Sequence, residues 1–186
     1  MPRIDVIQPE DAEGRLKEIY DEIERSRGKV AEVHKIQSLN PETITNHMDL
    51  YMSVMFGKSP LKRYQREMMA VVVSRANECT YCQRHHLEAL EHFWKEPGRA
   101  EALRQNHREA DLSPVDRALC DYAWQLTTDP GAAEHTDPTK ALRAAALSDR
   151  AILDATLVVS YFNFVNRMVI GLGVELEGDP GGYKYE

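Results

Sequence analysis

Polar residues followed by proline recur along this chain and constrain its fold more than any other feature. Four such pairs place a capping side chain directly before a proline that suits the first turn of a helix: Asn40-Pro41, Ser59-Pro60, Ser113-Pro114 and Asp137-Pro138. Between these starts, apolar residues recur at helical spacing, and no segment alternates as a half-buried strand does. The sequence therefore predicts an all-α protein.

Helix-ending signals divide the chain into short segments. Gly28, Gly57, Pro97-Gly98 and Asp129-Pro130-Gly131 each stop a helical pattern. The predicted helices cover residues 11–27, 40–57, 60–77, 79–95, 99–106, 114–128, 138–147 and 149–172, with Ser148 capping the last. Short loops between such helices favour an antiparallel helical bundle in one domain over residues 1–186, with a loose tail at 178–182.

Composition excludes several classes of protein. Of 186 residues, 42% are hydrophobic and 28% charged, which is typical of a globular domain rather than a disordered chain. The net charge of −7 disfavours a nucleic-acid binder. No apolar run follows Met1, and the apolar run 151–174 carries Asp154 and Arg167, which a membrane span rarely tolerates. We therefore expect a cytoplasmic protein without a membrane partner.

Three cysteines are too few for a disulfide-stapled secreted domain. Cys79 and Cys82 lie three residues apart at a predicted helix start, where two thiols share one face and where the helix dipole stabilises a thiolate. Asn77 is predicted to cap that helix. Cys120 occupies an apolar position and is predicted to lie in the core.

Two further side chains complete a proton relay. His86 follows Cys82 by four residues and projects from the same helical face. Glu67 stands on the otherwise apolar face of the preceding helix, where a carboxylate needs a partner, and His86 is the natural one. The helix dipole favours Cys79 as the thiolate, but the nearby imidazole favours Cys82, and we predict Cys82.

Other polar residues allow alternatives. The Cys pair with His85 or His86 resembles part of a zinc site, which His92 or His34 could complete. His85 is otherwise expected at the surface or at a subunit interface, and the remaining histidines are interpreted as structural or solvated. Asn163, Asn166 and Arg167 are polar residues within the apolar run of the last helix. They form either a buried packing network or a polar wall of the pocket.

The motif Glu67-x11-Cys79-Thr-Tyr81-Cys82-x3-His86 resembles the alkyl hydroperoxidase D-like proteins of the carboxymuconolactone decarboxylase superfamily. The segments 74–79 and 163–167 are similar to its peroxidase-related branch. The resemblance implies an all-helical homo-oligomer, a dimer, trimer or hexamer, that reduces peroxides. It implies that Cys82 attacks the peroxide and Cys79 resolves the sulfenic acid, while Glu67 and His86 relay protons. A thioredoxin-like or lipoamide-type dithiol would restore the thiols.

Tyr81 is a departure from that pattern, because the well-studied members carry a histidine at this position. The sequence thus predicts a peroxidase-like oxidoreductase that needs no metal, haem or flavin, with Tyr81, Asn163 and Arg167 as pocket candidates. Two alternatives stay open: a dithiol-disulfide reductase or redox sensor without peroxide turnover, and a non-catalytic helical protein with structural zinc.

Overall fold

The computed structural model describes residues 1–178, and this part of the chain forms nine α-helices and no β-strand. The helices are α1 Gly14–Arg27, α2 Glu32–Lys35, α3 Pro41–Tyr51, α4 Arg63–Ala76, α5 Thr80–Trp94, α6 Arg99–Gln105, α7 Pro114–Thr128, α8 Lys140–Ala144 and α9 Asp149–Leu172. Met52–Phe56 extends α3 as a π-helical turn. The all-α fold predicted from the sequence is confirmed. The predicted loose tail lies outside the described residues, apart from Gly178.

Helix α4 is the centre of the core. Every side chain from Gln65 to Ser74 is buried, so α4 is covered on all sides. It packs against α5, α7 and α9, whose apolar faces surround it. A helix buried in this way can carry a polar side chain only if neighbouring helices supply its hydrogen bonds, and Glu67 lies at this depth.

The turn between α4 and α5 brings the two cysteines back against α4. Glu78 adopts a left-handed conformation (φ 58°), which reverses the chain within a few residues. The Cys79 N–H then donates to the Ser74 carbonyl at 2.9 Å, and Cys79 itself is the N-cap of α5. The prediction that Asn77 caps α5 is therefore wrong, since Asn77 is the C-terminal cap of α4.

The predicted start of α4 at Pro60 is also wrong. The helix begins at Arg63, and Gln65 accepts from the backbone N–H of its N-cap Lys62 at 2.9 Å. Ser59 does not cap because its hydroxyl donates to the Asp154 carboxylate of α9 at 2.5 Å. The other predicted serine caps are confirmed, since Ser113 and Ser148 accept from the N–H groups three residues ahead.

Helix α9 is long and apolar enough to cross a membrane by length and composition alone. In this fold it is a core helix, with Phe162, Val165 and Val169 buried against the rest of the bundle. Its outer side nevertheless leaves four large apolar side chains between 42% and 53% exposed: Leu153, Leu157, Phe164 and Ile170.

Candidate active site

Glu67 occupies the middle of the buried helix α4 and has two partners. Its side chain is 1% exposed. Arg63, one turn earlier on α4, donates to Oε1, and Nδ1 of His86 lies 2.6 Å from Oε2. Burial alone would raise the pKa of Glu67, but the charges and hydrogen bonds of His86 and Arg63 outweigh it and lower that pKa. Glu67 is therefore an ionised carboxylate inside the protein.

The Glu67 carboxylate fixes the protonation pattern of His86. An ionised carboxylate can only accept, so Nδ1 of His86 must carry the proton. In the neutral ring, Nε2 then presents a free lone pair. The imidazole is held at its edge by Phe162, with ring centroids 4.4 Å apart. Glu67 thus orients His86 as a base whose reactive nitrogen is Nε2.

A cavity of about 90 Å³ lies beside this pair. Glu67, His86 and Cys82 all contribute to its wall, so three of the four predicted site residues meet there. The rest of the wall comes mainly from α1, α3, α5, α9 and the segment between α1 and α3. The described lining residues do not include Cys79, which is 1% exposed behind the cavity wall.

The two thiols are reduced and differ in acidity. The Cys82 thiol donates to the Cys79 sulfur, and this hydrogen bond lowers the pKa of Cys79; the backbone N–H groups of Cys82 and Tyr81 act in the same direction, against burial. The same hydrogen bond, together with burial, raises the pKa of Cys82 well above its ordinary value. The resting thiolate is thus favoured at Cys79.

This order corrects the prediction that His86 makes Cys82 the thiolate. His86 and Cys82 line one cavity, but within residues 1–178 no hydrogen bond joins the imidazole to either sulfur. The backbone N–H groups at the start of α5 therefore lower the pKa of Cys79, and no hydrogen bond from His86 favours a thiolate at Cys82 instead. Cys82 faces the cavity as the protonated partner, and it must lose its proton before it can act as a nucleophile.

The asparagines of α9 form a packing network behind the cysteines. Asn77 donates to both Asn163 and Asn166 at 3.0 Å, and Asn166 donates to the Ser74 hydroxyl at 3.3 Å. Arg167 donates back to Asn163 on the exposed side of α9. Neither Asn163 nor Arg167 is among the described cavity residues, so the prediction that they form its wall is wrong. Asn166, one turn on, instead hydrogen-bonds Cys82.

Two aromatic residues of α5 take part in the cavity wall. Tyr81 lines it, and its hydroxyl donates to Glu177 at 2.8 Å. His85 stacks on Tyr81 with ring centroids 4.4 Å apart, and its Nε2 lies 2.9 Å from the same carboxylate group. Its side chain is 11% exposed, so the expectation that His85 lies at the surface is wrong, and the alternative, a subunit interface, stays a prediction.

Several cavity residues were not predicted to line it from the sequence, among them His34, His47 and Tyr161. His47 on α3 bonds Tyr161 on α9 at 2.6 Å, although 114 positions separate them in the chain. Only the packing of α3 against α9 brings them together, so no local spacing could have found the pair. Burial lowers the pKa of His47 to about 4 and, aided by His47 and Arg27, that of His34 to about 3.

A structural zinc site would need a set of ligands. In the described part of the chain, no group of three or more His, Cys, Asp and Glu side chains is arranged to hold a metal ion. His86 is turned towards Glu67 and His85 towards Glu177. The site is instead that of an all-helical dithiol protein, with a carboxylate-imidazole pair and one thiol facing a small cavity.

Comparisons with known proteins agree with this class. Residues 41–123 match the model of the carboxymuconolactone decarboxylase family. The solved core of a peroxidase-related protein from Ralstonia eutropha JMP134, an alkylhydroperoxidase AhpD core, is 24% identical, covers 95% of this chain and 93% of that chain, and superimposes with a TM-score of 0.83. A peroxidase-related protein from Silicibacter sp. TM1040 is 28% identical, covers 95% and 94%, and has a TM-score of 0.81.

Sestrin-2 of Bos taurus is 24% identical over 186 residues, which is 98% of this chain and 38% of that protein. The chain thus spans less than two fifths of this relative's length. Together these matches confirm the resemblance, seen in the motif, to the carboxymuconolactone decarboxylase and alkylhydroperoxidase D-like superfamily.

Proposed function

We propose that this protein is a thiol-dependent peroxidase-like oxidoreductase that reduces organic hydroperoxides through Cys82 and Cys79. One observation carries the proposal: Cys82 lines a small cavity whose wall also holds the buried Glu67-His86 pair. A sulfur nucleophile and a positioned base facing one enclosed space are the parts that thiol-based peroxide reduction requires.

The reaction takes up one proton from solvent. The Cys82 proton passes to the Cys79 thiolate or, through water, to Nε2 of His86. The Cys82 sulfur then attacks one peroxide oxygen, the O–O bond breaks, and the leaving alkoxide takes that proton from Cys79 or His86 to become an alcohol. Cys82 is oxidised to a sulfenic acid. The Cys79 thiolate attacks that sulfur, the S–O bond breaks, the hydroxide that leaves takes a proton from solvent to become water, and a Cys79–Cys82 disulfide forms.

The cavity wall favours an organic substrate over hydrogen peroxide. Ala31, Val33, Met48, Ala89, Phe162 and Val165 line it. Apolar side chains bind an alkyl group by removing it from water, and hydrogen peroxide has no such group. We therefore expect small alkyl or aryl hydroperoxides to react faster than hydrogen peroxide. An external dithiol, a thioredoxin-like protein or a lipoamide-type carrier, would reduce the disulfide and become oxidised itself.

A second candidate function is dithiol-disulfide exchange without peroxide turnover. The lowered pKa of Cys79, caused chiefly by the Cys82 thiol, favours it, because in Cys-x-x-Cys proteins the thiolate at the helix start is the usual attacking group. The burial of Cys79, which is 1% exposed, opposes attack on a protein disulfide. Peroxide reduction through the cavity is therefore the better supported function.

Turnover assays separate the two functions. With dithiothreitol as reductant, the wild type should consume tert-butyl hydroperoxide, and Cys82→Ser should not. Cys120→Ser is the matched control, since Cys120 is buried in α7 away from the cavity. A reductase would instead reduce a small disulfide rapidly and leave the peroxide unchanged. Activity of Cys82→Ser equal to the wild type would contradict the assigned role of Cys82.

Self-association and a cytoplasmic location are predictions made from the sequence and the resemblance. The exposed apolar side chains of α9, Leu153, Leu157 and Phe164, are the surface on which we would test self-association. The proposed chemistry does not depend on either prediction, because all of its residues come from one chain.

A further inference from the structure

The hydrogen bonds around Gln37 determine the protonation of His47. The side-chain nitrogen of Gln37 lies 2.8 Å from the Val33 carbonyl and 2.8 Å from Nδ1 of His47. A carbonyl can only accept, so the amide nitrogen must face Val33, and its second hydrogen then points at Nδ1. Nδ1 of His47 is therefore an acceptor, and in the neutral ring the proton lies on Nε2.

The protonation of His47 in turn orients the hydroxyl of Tyr161. Nε2 of His47 lies 2.6 Å from the Tyr161 oxygen. Because Nε2 carries the proton, it donates to that oxygen, and the hydroxyl hydrogen of Tyr161 must point elsewhere. Within residues 1–178, Tyr161 has no other hydrogen-bond partner. The chain thus holds an unused O–H donor, although Tyr161 is only 5% exposed.

Tyr161 and Cys82, whose sulfur reacts, line the same cavity. Burial raises the pKa of Tyr161 well above its ordinary value, and Tyr51 and Cys82 act in the same direction, so the hydroxyl keeps its hydrogen. Burial also keeps His47 neutral, with a pKa of about 4, so the orienting hydrogen bonds persist near pH 7.

The geometry points to Tyr161 as a catalytic hydrogen-bond donor that binds the peroxide's leaving oxygen, with His47 and Gln37 as its positioning residues. This inference rests on the proposed peroxide reduction. As the O–O bond breaks, negative charge develops on the oxygen that leaves, and a donor fixed in a cavity stabilises that charge. Tyr161 contributes a hydrogen bond, while the proton that neutralises the alkoxide still comes from the Cys82-His86 side of the reaction.

Comparing two oxidants with different leaving groups tests this role. tert-Butyl hydroperoxide expels a strongly basic alkoxide, whereas peracetic acid expels the weakly basic acetate, which needs less stabilisation. In Tyr161→Phe we expect oxidation of the reduced protein by tert-butyl hydroperoxide to slow by roughly 100-fold. The rate with peracetic acid should fall far less. Stopped-flow rates of thiol loss give both values.

Tyr122→Phe is the matched control. It also removes a buried tyrosine hydroxyl, but that hydroxyl pairs with Thr156 at 2.7 Å, outside the described cavity wall. Its rates with both oxidants should equal those of the wild type. Damage to the fold would slow both oxidants alike, so the ratio of the two rates isolates the role of the hydroxyl.

Equal rates in Tyr161→Phe and the wild type, or an equal loss with both oxidants, would overturn the role of Tyr161 and leave the proposed function intact. A wild type that reacts with neither oxidant would overturn the proposed function and this inference with it. A loss confined to tert-butyl hydroperoxide supports both.

Discussion

Nδ1 of His86 lies 2.6 Å from the Glu67 carboxylate, although Glu67 is in the stretch 65–74 of α4 in which every side chain is buried. A buried carboxylate is costly unless it is paired, and here both of its oxygens have a partner. The tautomer of His86 that results leaves Nε2 as the acceptor nitrogen of a ring that lines the cavity. The catalytic proposal depends on this contact more than on any other.

Glu67→Gln should therefore slow peroxide reduction. Without the negative charge, the tautomer of His86 is no longer fixed and the protonated ring loses its carboxylate partner, so we expect a loss of roughly 100-fold in rate. The free energy of unfolding should fall by about 2 kcal/mol, because Arg63 also loses its charged acceptor. Stopped-flow thiol loss and urea unfolding measure the two effects.

Glu91→Gln is the control for this change, since Glu91 is an exposed residue of α5. It should alter neither quantity. If Glu67→Gln reacted with tert-butyl hydroperoxide at the rate of the wild type, His86 would not need its carboxylate, and the proton relay would have to be abandoned.

The two cysteines should ionise in a fixed order. The hydrogen bond from Cys82 lowers the pKa of Cys79, and the same bond with burial raises that of Cys82. In the reduced protein, the ultraviolet absorbance of thiolate should therefore appear at a lower pH in Cys82→Ser, which keeps Cys79, than in Cys79→Ser, which keeps Cys82. Buried Cys120, whose pKa burial raises, should add no thiolate signal to either variant while it is folded. A thiolate that forms at a lower pH in Cys79→Ser would contradict this assignment.

Acid should destabilise the fold through two buried histidines. Burial lowers the pKa of His34 to about 3 and that of His47 to about 4, whereas an unfolded chain holds histidine near 6.5. Between these values the unfolded state binds more protons, so the free energy of unfolding falls as the pH falls. Each histidine contributes up to about 1.4 kcal/mol per pH unit.

Urea unfolding between pH 7 and pH 5 measures this slope. Most carboxylates stay ionised in that range and contribute little. His47→Gln should reduce the slope, while His135→Gln, which changes an exposed histidine, should preserve it. A stability that is constant over this range, or that rises on acidification, would show that His34 and His47 are not buried as neutral groups.

Helix α9 gives a test of self-association. Leu153, Leu157 and Phe164 are exposed on one chain, and an oligomer would cover such side chains. Light scattering of the wild type should show an oligomer, and Leu157→Glu should dissociate it or weaken it. Leu39→Glu, an exposed leucine in the loop before α3, should leave the mass unchanged. A monomeric wild type would refute the prediction.

Local sequence patterns were sufficient for most helices and for part of the site. The spacing from Cys79 to His86 lies within one helix, and the buried position of Glu67 follows from its apolar neighbours, so both were accessible from the sequence. The start of α4 was misplaced because Ser59 pairs with Asp154, a contact between distant segments. The His47-Tyr161 pair was not predicted because it too is a contact between distant segments.

The prediction of which cysteine is the thiolate failed for a different physical reason. Sequence spacing placed an imidazole near Cys82, but it could not show that Glu67 would bind Nδ1 of His86 and that no direct hydrogen bond would join His86 to the sulfur. Nor could it show that Cys82 would donate to Cys79. Even where the neighbours of a side chain are predicted correctly, its orientation depends on its other hydrogen-bond partners, and those come from other helices.

The most direct test of the proposal is a single turnover of the reduced protein with one equivalent of tert-butyl hydroperoxide, followed by thiol counting and disulfide mapping. The account predicts that each chain loses two thiols, forms a Cys79–Cys82 disulfide and releases one tert-butanol, and that Cys79→Ser instead retains a sulfenic acid on Cys82. A protein that keeps all its thiols and leaves the peroxide intact would contradict it.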